Sequence, residues 1–158
     1  MNLFWRRTRF TWIASKRPFQ DINKHVIEGE VQPPIDVNTL TMKILKYGGE
    51  SVCIKLNEPD MNLLLKKGDL IPFRWVRHEI GEDNSCHSNS SRLWFRQKRN
   101  FYICTGYGLT EDDQMWRQHT WLIDKQKETI TETTVEREKY FGIILRGIKA
   151  WHFAITNL

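Results

Sequence analysis

Residues 116–134 read WRQHTWLIDKQKETITETT, and two strand patterns meet there across a polar turn. In the first, His119, Trp121 and Ile123 share one face, because successive side chains of a β-strand point to opposite sides. In the second, Ile130, Glu132 and Thr134 share a face. An inward histidine is often only a hydrogen-bonded core residue, but here the next strand carries an acid of matching parity. An even-length connection centred on Lys125-Gln126 sets Glu132 directly opposite His119 on one side of an antiparallel hairpin. An odd-length connection sends it to the other side. Asp124 lies on the opposite strand face from His119 and is the poorer partner.

The preceding segment supplies a third residue. Gly81-Glu82-Asp83-Asn84-Ser85 is a polar loop ending in three residues able to cap a helix, immediately before Cys86. From Cys86, the positions of Ser90, Leu93, Trp94 and Gln97 follow one helical face, while Arg92, Arg96, Lys98 and Arg99 can reach solvent and suit the helix dipole. A thiol in the first turn sits beside backbone N–H groups without helical acceptors, which favour its thiolate. Its own N–H is placed to donate to an oxyanion. The plainer reading of Cys86 is a small buried residue starting a core helix.

A cysteine beginning a helix, a histidine on a following strand and an acid on the next resemble the papain-like and transglutaminase-like thiol enzymes over residues 80–145. The segments WRQHTWLID and ETT look like the histidine strand and the acidic strand of those families. The resemblance implies that Cys86 is the nucleophile, His119 its acid-base partner and Glu132 the residue orienting the imidazole. It implies an α+β fold in which a helix begins at Cys86 and packs on an antiparallel sheet. The implied activity is that of a cysteine-dependent amide hydrolase or acyltransferase (peptidase, deamidase or transglutaminase-like), acting on a peptide or protein amide through an acyl-thioester, without a cofactor. Glu132 stands where Asp or Asn is commoner in those families, His87 where an aromatic is frequent, and no oxyanion glutamine is recognisable upstream.

Outward from this centre, Phe101–Tyr107, Trp116–Ile123, Thr129–Thr134, Tyr140–Leu145 and Ala150–Ile155 read as strands. Before the cysteine, Met42–Tyr47 and Ser51–Asn57 flank Gly48-Gly49 and read as a hairpin. Pro59 opens a short helix through Leu63–Leu65, with Gly68 as its cap, and an extended run covers Leu70–Arg77. Gln32-Pro33-Pro34 marks a connector, dividing a basic, aromatic segment at 1–34 from a single α+β domain at 35–158.

The chain has 158 residues, 40% hydrophobic and 12% aromatic, enough for one packed domain without disulfide staples. Its apolar runs fall far short of the roughly 20 residues needed to cross a bilayer, and Arg6, Arg7 and Arg9 interrupt any N-terminal signal-like run. The net charge of +5 resides before residue 18, in Arg6, Arg7, Arg9, Lys16 and Arg17, with no acid among them. Interleaved with Phe4, Trp5, Phe10 and Trp12, these cations frame the alternative function: a non-catalytic domain binding nucleic acid, another anionic surface or a protein partner. The plainer reading docks the aromatics on the core and leaves the cations solvated.

Three cysteines, Cys53, Cys86 and Cys104, cannot all pair within the chain, so a reducing, cytoplasmic setting is the expectation. A scattered metal site would draw on His78, Cys86 and His119. Cys104 reads as core, Cys53 as half exposed, and Trp75, Trp94, Trp116 and Trp121 as core aromatics, with Trp121 also suited to wall a cleft. His87 points either to solvent or toward the thiolate as a second cation.

Overall fold

The two longest strands form the centre of the sheet. In the computed structural model, which describes residues 11–15, 35–55, 57–127 and 129–158, β5 (Phe101–Leu109) and β6 (Met115–Asp124) pair antiparallel through nine residue pairs. β8 (Lys139–Leu145) pairs antiparallel with the other edge of β5, and β3 (Asp69–Leu70) adds to β8. β7 (Ile130–Glu132) returns antiparallel to β6 and carries β4 (Val76–His78), parallel to it. β2 (Ser51–Lys55) lies parallel to β6, and β1 (Thr11–Ser15) closes the sheet antiparallel to β2. With four helices, the described residues form an α+β fold on a mostly antiparallel sheet.

β6 therefore has three neighbours. Along its edge away from β5, β2 pairs with Met115–Arg117 and β7 with Leu122–Ile123. Among the described residues, no strand pairs with that edge from Gln118 to Thr120. The gap is closed from a helix, where Ser90 Oγ donates to the Thr120 carbonyl at 3.2 Å.

Helix α3 (Cys86–Gln97) begins at the expected residue. Its buried positions are Asn89, Ser90, Ser91 and Trp94, a face rotated slightly from the expected one, with Gln97 exposed. Trp94 joins the larger hydrophobic cluster with Phe101, Ile103, Tyr107 and Leu109 of β5. Each fully buried aliphatic side chain of that cluster, such as Leu40 or Ile54, contributes about 1.5–3 kcal/mol. On the opposite side of β5, Cys104 packs with Trp121, Ile130 and Tyr140. This second cluster lies on the sheet face of His119.

Several expectations give way. The hairpin at Met42–Asn57 is instead α1 (Ile35–Leu45) followed by a turn and β2. Val37, Leu40, Thr41, Ile44 and Leu45 are its buried residues, a helical period that the apolar run from Met42 conceals when read alone. Gly48 and Gly49 do turn the chain, at φ of 113° and 74°, a region open to glycine. Ala150–Ile155 is not a strand but lies in α4 (Ile148–Thr156). Its buried Ala150 and Ala154, one helical turn apart, present a small surface while α4 packs on α3, and Trp151 meets Trp94 and Phe95 edge-on.

Leu70–Arg77 is split between β3 and β4, which pair with different strands, and Trp75 in the connection is 54% exposed rather than core. Helix α2 (Met61–Lys67) ends at Gly68 as expected, but with extended backbone. A side chain there would collide with the Leu64 carbonyl and Phe141. β1 lies within 1–34, so the sheet begins before the expected boundary at residue 35. Arg6, Arg7, Arg9, Lys16 and Arg17 lie outside the described residues. Among the described residues, no helix is long and apolar enough to cross a membrane.

Candidate active site

The β6–β7 hairpin places an acid beside a histidine. Its register pairs Leu122 with Thr131, so Glu132 falls across from Trp121 and diagonal to His119, rather than directly opposite it. This is a displacement of two residues along β6, which preserves the face. His119 Nε2 lies 2.8 and 3.0 Å from the two Glu132 oxygens. Both residues are almost wholly buried, at 1% and 0% exposure. Asp124 is occupied in the turn, accepting from the backbone N–H groups of Gln126 and Lys127.

Glu132 is satisfied well beyond its histidine. Tyr140 Oη donates to it at 2.9 Å and the Thr133 N–H at 2.9 Å, with the Thr134 N–H at 3.3 Å. Trp121 stacks on His119 with ring centroids 6.1 Å apart, and Tyr140 packs against both rings. Room for this layer comes from Gly142, where a Cβ would stand 2.8 Å from the Trp121 ring.

The cysteine reaches this pair through the gap in the β6 edge. Asn84, at φ 57°, turns the chain sharply into α3, a conformation asparagine tolerates better than most residues. Asn89 then fastens the loop, donating to the Glu82 and Thr133 carbonyls and accepting from the Glu82 N–H. Gly81 must be glycine-small against that amide, since a Cβ would lie 2.5 Å from it. Ser85 makes no side-chain cap bond. A backbone bond from the Asn89 N–H to the Ser85 carbonyl begins the α3 ladder, so the N–H of Cys86 lies ahead of it.

Cys86 Sγ is 3.1 Å from His87 Nδ1, and His119, lining the same cavity, also acts on its charge. With Nε2 of His119 given to Glu132, Nδ1 is the nitrogen left for the sulfur. His87 thus turns toward the thiol, and its ring lies against Phe153 of α4. Burial disfavours the thiolate, but the bonds and charge of His119 and His87 outweigh it and bring Cys86 down from 9.0 to about 5. Burial likewise opposes an imidazolium at His119, yet Cys86 and Glu132 raise it from 6.5 to about 9. Glu132 is held below the usual carboxylate range: burial works against its charge, and His119, Tyr140 and the Thr133 N–H prevail. Both shifts favour thiolate and imidazolium as the pair at neutral pH.

That pair fixes a pH signature. The depressed pKa of Cys86 contributes stability that is present above pH 9.0 and lost as pH falls through about 5. The raised pKa of His119 contributes stability that is present below pH 6.5 and lost as pH rises through about 9. Between about 6.5 and 9 the two trends cancel, because folded and unfolded chains each hold one proton across the pair. Between about 6.5 and 5 the unfolded chain holds one more. Urea unfolding should therefore show a plateau from pH 7 to 9 and a loss of roughly 2 kcal/mol by pH 5. In Cys86→Ser the plateau should become a decline above pH 6.5, since His119 then titrates beside Glu132 alone.

A cavity of about 430 Å³ opens over the thiol, lined by Cys86, His119, Gln118, Arg117 and Arg137 among others. Gln118 is no free oxyanion donor, because its Nε2 is given to both oxygens of Glu58, at 3.2 and 3.0 Å. Tyr140 and Arg137 escaped the sequence reading. The one available signal was parity, since Tyr140 and Gly142 alternate on β8 as Glu132 and Ile130 do on β7.

The remaining candidates lie elsewhere. His78 is exposed and paired with Glu136 at 3.0 Å. Among the described residues, no group of three or more His, Cys, Asp or Glu side chains is arranged to hold a metal ion. Cys104 is fully buried, and burial pushes its thiol above the ordinary range. Cys53 is partly buried and its thiol is also raised, chiefly by burial. All three cysteines are free. A scan against protein-family models and searches of the curated proteins and of the solved structures find no match to this chain.

Proposed function

We propose that the chain is a cysteine-dependent amide hydrolase or acyltransferase. The observation that carries the reading is the thiol of Cys86 at a helix N-terminus, within a cavity, beside a buried imidazole whose second nitrogen rests on Glu132. The order of helix-borne cysteine, strand-borne histidine and strand-borne acid supports a likeness to papain-like and transglutaminase-like enzymes.

In the proposed reaction the Cys86 thiolate attacks the amide carbonyl carbon, and the oxygen gains the negative charge, facing the backbone N–H of Cys86. The C–N bond breaks as His119 gives its proton to the leaving amine, leaving a thioester and a neutral imidazole. Water or an acceptor amine then attacks the thioester and gives a proton to His119. The acyl product leaves and the thiolate returns. Glu132 holds the imidazole orientation throughout and balances the imidazolium.

The test is site-selective alkylation followed by trapping. Near neutral pH, iodoacetamide should label Cys86 faster than Cys53 and Cys104 by about tenfold or more, because only Cys86 is a thiolate there. An activated acyl ester should add one acyl mass on Cys86, removable by hydroxylamine. Rapid labelling of Cys53 with Cys86 protected would sink the proposal.

A further inference from the structure

The cavity over Cys86 contains a cation that the reaction above does not use. Arg117 and Arg137 both donate through Nη1 to one neutral oxygen, Thr110 Oγ1, at 2.9 and 2.8 Å. Two guanidinium groups converging on one hydroxyl repel each other. Arg117 is neutralised by Asp113, which accepts from both of its terminal nitrogens. Arg137 has no acid partner among the described residues. Its Nε is buried without a hydrogen-bond partner, so the protein itself leaves this guanidinium only partly satisfied.

Arg137 is also held in place. Its stem lies over Gly108, where a Cβ would come within 2.6 Å of its Cγ. Its backbone N–H donates to Tyr140 Oη at 3.1 Å, and the same hydroxyl donates to Glu132. One tyrosine thus ties the backbone of Arg137 to the acid that holds His119.

We propose that Arg137 is a substrate-binding residue that selects acyl substrates carrying a carboxylate beside the amide attacked by Cys86. The proposal rests on the reading of Cys86 as nucleophile and adds the charge of its substrate. A guanidinium presents planar, forked donors that match a carboxylate. One unneutralised cation matches one negative charge. The Cys86 thiolate, Glu132 and Asp83, which also lines the cavity, oppose a dianion such as a phosphate ester.

The test uses the full chain and two alkylating agents of similar shape, anionic iodoacetate and neutral iodoacetamide, with labelling of Cys86 read by peptide mass spectrometry. In Arg137→Met, which keeps the stem over Gly108, the ratio of iodoacetate to iodoacetamide rates should fall about tenfold. Arg137→Lys should restore part of it. In the unaltered chain, glutaramate, a monoanion carrying one carboxylate and one amide, should slow iodoacetamide labelling of Cys86 more than glutaramide or inorganic phosphate at equal ionic strength, an arm that decides alone if the variants fail to fold. An unchanged ratio in Arg137→Met, or equal protection by glutaramate and glutaramide, overturns the charge assignment and leaves the nucleophile standing. Strongest protection by phosphate overturns the carboxylate. Slow labelling of Cys86 by both reagents in the unaltered chain removes the nucleophile, and the substrate proposal with it.

Discussion

Cys86→Ser should lower kcat/KM toward activated acyl esters by about 10⁴-fold or more, up to the roughly 10⁶-fold lost when a nucleophile is removed from a catalytic triad. The substitution changes one atom, and the cavity, the α3 N-terminus and the His119–Glu132 pair remain. What disappears is a nucleophile already ionised at rest. A serine hydroxyl ionises far above the ordinary thiol range, so the two histidines that bring Cys86 to about 5 leave an alkoxide unpopulated. His119 would then have to remove the proton during attack, in a site built around an ion pair. Kinetics with p-nitrophenyl acyl esters, and intact mass for the acyl adduct, check this. Retention of a tenth or more of the activity by Cys86→Ser would place the nucleophile elsewhere.

Glu132→Leu should destabilise the fold by about 3–5 kcal/mol, the usual consequence of removing one member of a buried ion pair. Leucine is close in volume, so packing is not the main loss. His119 loses its partner at 2.8 Å, the Tyr140 hydroxyl its acceptor, and the Thr133 N–H its bond, all of them away from water. Against a total stability of 5–15 kcal/mol typical of domains, this can remove much of the folded population. Glu132→Gln should cost much less stability yet slow turnover, because an amide still accepts hydrogen bonds but does not balance an imidazolium. Urea unfolding of both variants, beside esterase kinetics of Glu132→Gln, separates the structural and chemical roles. Equal stability of Glu132→Leu and the unaltered chain would contradict the buried-pair description.

The His119 strand and the Cys86 helix were legible because their signals are local. The shared parity of His119, Trp121 and Ile123 and the polar loop before Cys86 are each read within a short stretch of chain. The face of Glu132 was legible by parity, but its pairing with Trp121 instead of His119 depends on the turn, which parity does not fix. Helix α1 was misread because Met42–Tyr47 is apolar enough for a strand, and the deciding residues, Val37 and Leu40, lie before it. In α4, Trp151, Phe153 and Ile155 favour strands, and packing on α3 overrides them. Tyr140, Asn89 and Arg137 reach the site through non-local packing. Their roles exist only once β8 lies beside β5 and the loop before α3 is fastened to Thr133.

The divided outer edge of β6 also orders events in time. His119 and Glu132 belong to one hairpin, thirteen residues apart, and hairpins close in about 1–10 μs. β2, by contrast, must join β6 across the separation between Ser51 and Met115, and such non-local pairings are slow to form. The sulfur arrives only when α3 docks into the space between those two strands. A refolding chain should thus acquire its histidine–acid pair before its nucleophile, with the onset of rapid Cys86 alkylation trailing the hairpin's formation; simultaneous onset would contradict this order.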